Sequence, residues 1–301
     1  MSFEVSVVIP VYNREKYIER AIKSAIPFEC VKEIIVVDDG STDSSLEICQ
    51  NLASIHNKIR VLTHPKHQNK GVSASRNLGI TNAKSTYIAF LDSDDYYLPN
   101  RFDAEIRLCN DIGELDGVYG AASFHDTATN SKSLYTISTY IQPENLFKAL
   151  LWQDKGLFCT PTITIRKQLF STIGLFDPNL TVAEDTDLWF RLAAFAKIYP
   201  GNINDAVCNV EIHNSNTKNT KEYLYDESYK YIYSKLLRII LFSSKISFNN
   251  KNELLLSTNN YCRLFSKTYS ESTFLLKIII KKPLLLFCPA VYHKLFQIIL
   301  R

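Results

Sequence analysis

Tyr87-Ile88-Ala89-Phe90-Leu91-Asp92-Ser93-Asp94-Asp95 is the stretch that decides the architecture: a short apolar run ends abruptly in three carboxylates. A brief, continuous apolar segment bounded by a polar turn has the length and composition of a buried strand. Like charges a few ångströms apart destabilise one another unless a cation lies between them, so the acidic end of this strand calls for compensation. A hard divalent ion takes oxygen ligands and is often held by one or two carboxylates together with substrate phosphates. The turn therefore predicts a metal ion and a phosphorylated ligand.

On either side of this segment, strand-like and helix-like patterns alternate. Val5 to Ile9, Ile34 to Val37 and Ile59 to Leu62 read as strands. Glu15 to Ile26 reads as a helix, with Ile18, Ala21, Ile22 and Ala25 at helical spacing, and so do Asp43 to Ser54 and Val72 to Ala83. This alternation predicts an α/β fold with a mostly parallel sheet flanked by helices on both faces. Ligands of such sheets bind beyond the carboxyl ends of the strands, where Pro10 to Asn13, Asp38 to Asp43 and Asp92 to Asp95 are expected to meet. From about residue 115 the pattern is mixed, with strand candidates at Gly117 to Ala122, Thr162 to Ile165 and Ala206 to Ile212. Helix candidates lie at Pro143 to Trp152 and Thr186 to Ala196, and after Tyr223 the chain reads as helical to its end. No internal repeat is visible.

Three further segments carry chemistry. Asp38-Asp39-Gly40-Ser41-Thr42-Asp43 follows the second strand directly. A carboxylate there can accept the N3–H of a uracil ring while Ser41, Thr42 or Asp43 caps the next helix, and a plain turn and cap fits the same residues. Gly71 to Gly79 places Arg76 on a helix that runs into the crevice, where its planar fork suits phosphate oxygens or else pairs with the acidic turn. Ala183-Glu184-Asp185-Thr186-Asp187-Leu188-Trp189 feeds a helix whose apolar face carries Leu188, Leu192 and Phe195. Carboxylates at a helix start favour the macrodipole, and one close to an acceptor can also take the proton of an attacking hydroxyl. His213 closes a strand in a polar loop and is either a hydrogen-bonding residue or a contact to metal or phosphate. Neither acidic segment has the sixth-position glycine and twelfth-position glutamate of an EF-hand. A GxGxxG fingerprint and a Walker loop are both absent from the sequence, which leaves nicotinamide-cofactor and P-loop readings without support.

The formal charge of +3 conceals a division. Residues 230 to 301 carry twelve Lys and Arg against two Glu, a net +10, which leaves 22 against 29, a net −7, in residues 1 to 229. The seven cysteines, at 30, 49, 109, 159, 208, 262 and 288, are widely spaced without a CxxC pair, which argues against a disulfide framework or a zinc site and for a reducing compartment. Val5 to Ile9 is too short for the core of a signal peptide, so the catalytic part is expected to stay in the cytosol.

The ordered set of motifs resembles the family 2 glycosyltransferases with the GT-A fold. It runs from Val7-Val8-Ile9-Pro10-Val11-Tyr12-Asn13 through Val37 to Asp43, Gly71 to Gly79, Leu91 to Asp95 and Gly174-Leu175-Phe176-Asp177 to Glu184-Asp185 with Trp189 and Arg191. The resemblance implies that Pro10, Tyr12 and Asp39 frame a nucleotide base and that Arg76 lies by the diphosphate. It implies that Asp92, Ser93 and Asp94 form the DxD segment, with Asp94 holding Mn²⁺ or Mg²⁺ and His213 a metal or diphosphate contact. Asp185 is then the catalytic base, with Glu184, Asp95 and Trp189 in supporting or acceptor-side positions. The implied reaction is a single inverting displacement from a UDP-sugar, glucose or galactose being favoured. The QxxRW sequence of processive synthases is missing, because Trp189-Phe190-Arg191 has the wrong order, so one sugar per binding event is expected.

These features divide the chain into a GT-A catalytic domain, residues 1 to 222, and a helical basic extension, residues 223 to 301. Residues 1 to 115 form the nucleotide-binding half of the catalytic domain and 116 to 222 the acceptor-binding half. Residues 274 to 301 are apolar but interrupted by Lys277, Lys281, Lys282, Pro283, Pro289, His293 and Lys294, whereas a spanning helix needs about 20 mainly apolar residues. An interfacial anchor on anionic lipid is expected, the other arrangement being a helical pair packed on the catalytic domain. Such a tail suits a peripheral enzyme on the cytoplasmic face of a bacterial inner membrane. Its acceptor would be a lipid-linked sugar diphosphate such as GlcNAc-diphospho-undecaprenol in O-antigen assembly, and no nucleic-acid partner is expected. Competing expectations are an acceptor in capsule, lipooligosaccharide core or protein, and a catalytically inactive UDP-sugar-binding scaffold.

Overall fold

The computed structural model describes residues 3–137, 139–152, 158–213 and 222–253, the last range without 245, 247, 248 and 252. The chain runs β1 (Val5–Val11), α1 (Ile18–Ala25), β2 (Val31–Asp38), α2 (Ser45–Ile55), β3 (Ile59–Thr63), α3 (Val72–Asn82) and β4 (Tyr87–Phe90). It continues with β5 (Tyr96–Tyr97), α4 (Asp103–Ile112), β6 (Gly117–Tyr119), β7 (Ala121–Asp126), β8 (Ser131–Tyr135) and α5 (Pro143–Trp152). The remainder is β9 (Ile163–Arg166), α6 (Phe170–Ile173), α7 (Glu184–Phe195), β10 (Ile198–Pro200), β11 (Ala206–Ile212) and α8 (Glu222–Phe242).

Seven strands form one sheet in the order β10-β6-β9-β4-β1-β2-β3. All neighbours are parallel except around β9, which runs antiparallel to both β4 and β6. Propagation from β1 goes first to β2 and β3 and then reverses to β4 on the other side, which opens a crevice at the carboxyl ends of β1 and β4. Strand side chains alternate between faces with a period of two. Val5, Val7, Ile9 and Val11 therefore pack with Ile18, Ala21, Ile22 and Ala25 of α1 on one face. Val8, Ile88 and Phe90 pack on the other with Leu146 and Phe147 of α5 and Leu188 of α7. Burial on both faces is why these strands are apolar throughout.

A second sheet, β5-β11-β7-β8, stands beside the first and was not expected from the sequence. The strand expected over Gly117 to Ala122 is split at Gly120: β6 belongs to the first sheet and β7 to the second. A Cβ at Gly120 would come within 3.1 Å of Val207 Cγ2 and 3.2 Å of the Asn202 carbonyl, so the chain crosses at a crowded point where a side chain would push its neighbours aside. Two helices start later than their patterns. Arg14 N–H donates to Ser45 Oγ and Glu15 N–H to Asp43 Oδ2, which holds the approach to α1 as a turn, while Asp43, one residue before the N-cap Ser44, accepts Ser45 N–H at 2.9 Å. Phe195, expected on the apolar face of α7, is only half-buried, whereas Leu188 and Leu192 are fully buried.

The expected boundary after residue 222 falls at the start of α8. Ile232, Tyr233 and Leu236 of α8 are buried in the same core as α7, with Tyr233 and Phe190 ring centroids 6.1 Å apart. Lys235 Nζ donates to Asp187 at 2.9 Å and to Asp177 at 2.7 Å. Among the described residues no helix is long and apolar enough to cross a membrane. The stretch expected to act as an anchor, 274–301, lies outside the described residues.

Gly79 of α3 lies directly on β1, where a Cβ would come 2.3 Å from Val8 Cγ1. Gly79→Ala is predicted to lower stability by about 1–3 kcal/mol through overpacking. In urea titrations the double variant Gly79→Ala, Val8→Ala should lose less than the two single losses together, and additive losses would place the strain elsewhere.

Candidate active site

Beyond the carboxyl ends of β1, β2 and β4 lies a crevice of about 650 Å³. The first sheet brings Pro10, Tyr12, Asp39, Asp92, Ser93, Asp94 and Asp95 to it, and α3 brings Arg76. Glu184, Asp185 and Trp189 come from α7, and Phe124, Tyr135 and Val210 from the second sheet. Every site residue expected from the sequence except His213 lines this space, and His213 is joined to it through Asp94.

Asp39 is 4% exposed and fixed from both sides. Its Oδ1 accepts Lys70 N–H at 2.7 Å and its Oδ2 accepts Gly71 N–H at 2.9 Å, which leaves further lone pairs directed by a rigid carboxylate. Asp38 is fully buried and accepts the backbone N–H groups of Gly40 and Ser41, a turn-forming role. Gly40 adopts φ +80°, and a Cβ there would meet the His67 carbonyl at 2.5 Å. Tyr12, 44% exposed, offers a ring at the mouth of the crevice.

The three carboxylates of the acidic turn diverge instead of sharing one cation. Asp92 accepts from Arg76 Nη2 at 2.7 Å, and Arg76 Nη1 reaches Glu184 at 2.8 Å. Burial alone would push the Arg76 guanidinium down, but Asp92 and Glu184 outweigh it and hold it above its ordinary value. Asp94 Oδ2 meets Arg14 Nε at 3.3 Å and His213 Nε2 at 3.1 Å, and His213 stacks on Tyr17 with centroids 5.1 Å apart. Asp95 turns inward and accepts Glu211 N–H at 3.0 Å. Burial, then Asp92 and Asp94, push its carboxyl well above the usual carboxylate range. Arg20 donates to the Asp94 carbonyl at 2.9 Å and lies 4.5 Å over the Tyr96 ring. Arg14 and Arg20 were not singled out in the sequence, because one arginine near a helix start looks like any solvated charge.

Among the described residues no group of three or more His, Cys, Asp or Glu side chains is arranged to hold a metal ion. Asp94 Oδ2 and His213 Nε2 lie 3.1 Å apart, and a hard divalent ion in a nucleotide site commonly takes the rest of its shell from phosphate oxygens and water. A carboxylate oxygen and an imidazole nitrogen are donors that Mn²⁺ or Mg²⁺ can take where phosphate oxygens complete the shell.

The acidic start of α7 divides its labour. Glu184 pairs with Arg76, while Asp187 is fully buried and bound by Arg191 at 2.5 Å and by Lys235. Asp185 alone faces the crevice without a cationic partner of its own, accepting Thr186 N–H at 2.6 Å. Burial pushes its carboxyl up to about 6, Glu184 adds to the shift and Arg76 opposes it. Trp189 is 1% exposed and packs between Phe158 and Phe176, at 5.4 and 6.3 Å, so it shapes the wall behind the crevice. The segment Gly174 to Asp177 is braced from two sides: Asn77 exchanges two hydrogen bonds with Phe176, and Arg191 donates to the carbonyls of Ile173 and Leu175.

Comparison with known proteins bears on this arrangement. Residues 6–174, more than half of the chain, match the family described as Glycosyl transferase family 2. An uncharacterized glycosyltransferase of Rickettsia prowazekii is 34% identical over 219 residues, covering 72% of this chain and 66% of that protein. The minor teichoic acid biosynthesis protein GgaA of Bacillus subtilis is 41% identical over 205 residues, 64% of this chain and 44% of that protein. The chain thus spans less than two thirds of the length of these relatives. Among solved structures, S. aureus TarS 1-349 in complex with UDP-GlcNAc superposes with a TM-score of 0.68 at 21% identity, covering 93% of this chain and 77% of that chain. That likeness shows the fold. With a GT-A sheet and a family match that runs from β1 through the acidic turn to Gly174, the chain belongs to the family 2 glycosyltransferases.

Proposed function

We propose that the chain transfers one hexose, glucose or galactose, from a UDP-sugar to a hydroxyl of a lipid-linked sugar diphosphate, with inversion at the anomeric carbon. GlcNAc-diphospho-undecaprenol is the acceptor, surface-polysaccharide assembly such as O-antigen synthesis the setting, and the cytoplasmic face of a bacterial inner membrane the place. The observation that carries the reading is Asp185, a carboxyl raised to about 6 that shares one crevice with the DxD turn and Asp39. A base poised near the working pH is what abstraction of a sugar hydroxyl proton requires. The UDP-GlcNAc named in the TarS structure and the teichoic acid biosynthesis named for GgaA lend support to a UDP-sugar donor and a cell-surface glycan.

In this mechanism Tyr12 and Pro10 pack on the base, and Asp39, held by its two backbone donors, accepts the uracil N3–H with a remaining lone pair. Asp94 and His213 would hold Mn²⁺ or Mg²⁺, which would supply Lewis acidity at the leaving diphosphate. Arg76, kept charged by Asp92 and Glu184, faces the same diphosphate. The acceptor oxygen forms a bond to the anomeric carbon as the bond to the diphosphate oxygen breaks. The bonding pair leaves with the nucleotide, and the acceptor proton passes to Asp185. Attack opposite to departure gives inversion.

Asp185→Asn is predicted to lower kcat by about 10²- to 10⁴-fold while calorimetry finds UDP binding unchanged. Full activity in that variant would remove Asp185 as the base, and loss of UDP binding as well would point to a collapsed site. The wild-type kcat/KM should rise with pH through about 6 and level off above it, since the base must be ionised. A carboxyl whose pKa is raised by folding contributes stability that is lost as pH rises through the folded value. At pH 8 the unfolding midpoint of Asp185→Asn should therefore equal or exceed that of the wild type.

A donor screen with Mn²⁺ or Mg²⁺, a GlcNAc-diphospho-lipid acceptor analogue and each common nucleotide sugar, read by product mass, should yield transfer from one UDP-hexose. Transfer only to soluble acceptors would defeat the lipid-linked part of the reading; UDP binding without any transfer would mean either a wrong acceptor or an inactive binding protein, and slow donor hydrolysis dependent on Asp94 would favour the first. Deletion of residues 270–301 should leave a folded enzyme that no longer sediments with membranes, whereas unchanged sedimentation would remove the anchor.

A further inference from the structure

We propose that Arg14 acts as a built-in counter-cation at Asp94, so that a divalent metal binds this site strongly only together with the diphosphate of the donor. The inference rests on the metal-assisted reading above and adds to it a residue with no place in the DxD, Asp39 or Asp185 motifs.

The backbone at Arg14 is fixed. Asn13 adopts φ +52° and its side chain accepts Thr42 N–H at 2.8 Å, while Arg14 N–H donates to Ser45 Oγ at 2.7 Å. The loop after β1 is thereby tied to the start of α2. Arg14 Nη1 donates to the carbonyls of Asn13 at 3.0 Å and Tyr12 at 3.4 Å, which leaves Nε directed at Asp94 Oδ2, 3.3 Å away. Arg14 lines the crevice with a side chain 24% exposed against 13% for Asp94, so water screens the pair only in part.

The oxygen that Arg14 holds is the one that also meets His213. A cation placed there by Asp94 and His213 has a guanidinium at its flank, and a guanidinium cannot shed its proton to relieve the repulsion. A nucleoside diphosphate changes the balance in two ways. Its phosphate oxygens complete the shell of the metal, and its charge offers Arg14 a new anionic partner suited to the planar fork. Metal and nucleotide therefore favour each other, and by linkage each raises the affinity of the other by the same factor.

The test measures Mn²⁺ binding to the full chain by electron paramagnetic resonance, with and without UDP, and UDP binding by calorimetry, with and without Mn²⁺. The wild type should bind Mn²⁺ alone weakly and show a coupling factor that is equal in both directions. Arg14→Met should bind Mn²⁺ alone about tenfold more tightly, with the coupling factor reduced by about the same amount. Arg14→Gln serves as a second neutral variant should the first not fold, and Arg14→Lys, which keeps the charge, should stay close to the wild type. A purely structural prop for Asp94 predicts the opposite sign, so unchanged or weaker Mn²⁺ binding by both neutral variants overturns the proposal. Absence of Mn²⁺ binding by the wild type even with UDP present would overturn the metal reading and this inference with it.

Discussion

Arg76 joins three segments that are far apart in the chain: α3, which carries it, the acidic turn after β4 through Asp92, and the first residue of α7 through Glu184. The guanidinium is almost fully buried and lies 5.2 Å over the Phe176 ring, so its charge has no recourse to bulk water. Removing one partner of a buried ion pair leaves an uncompensated charge, commonly at a loss of about 3–5 kcal/mol. The bridge thus sets the distance between the acidic turn after β4 and the helix that offers Asp185. Because it consumes Glu184, it also leaves Asp185 as the acid at that helix start that lines the crevice without a cationic partner of its own.

The same economy of charge governs the rest of the site. An acidic turn next to a second acidic helix start would repel itself apart, and the fold answers with guanidinium groups from three elements. Arg76 takes Asp92, Arg14 takes the side chain of Asp94, and Arg20 takes its carbonyl. Asp95 escapes inward to a backbone N–H. What remains open toward the crevice is a set of groups held rigid by partners that are not themselves substrates, the arrangement that preorganised catalysis requires. The α7–α8 contact extends the bracing outward, since Lys235 shares Asp187 with Arg191 and ties α8 to α7.

Much of the first sheet was legible in the sequence because β1, β2 and β4 are buried on both faces and so spell continuous apolar runs. The limits of α5 and β11 also agree with the expected ones. The second sheet was hidden for physical reasons: β5 has two residues, and β8 is Ser131-Lys132-Ser133-Leu134-Tyr135, mostly exposed, with no alternation to read. β5 exists because β11, distant in sequence, supplies its hydrogen bonds, whereas β8 is the edge arm of a hairpin with β7 and is held by that one neighbour. The break at Gly120 depends on how closely Val207 and Asn202 approach, which no local pattern encodes. Of the residues that line the crevice, Asp39, Arg76, Asp92, Ser93, Asp94 and Asp185 could be named in advance because motifs mark them. The separate duties of Glu184, Asp185 and Asp187 follow from burial and partner, and a helix start with three acids cannot reveal them.

The central claim is that Asp185 drives a direct displacement in which the acceptor attacks opposite to the departing diphosphate. The measurement that tests it most directly is the anomeric configuration of the purified product, read from the proton NMR coupling at the new glycosidic carbon after transfer from an α-linked UDP-sugar. The account predicts a β-linked product from the first turnover. An α-linked product would contradict it, because retention needs either a covalent intermediate or same-face attack, and neither assigns Asp185 the role proposed for it.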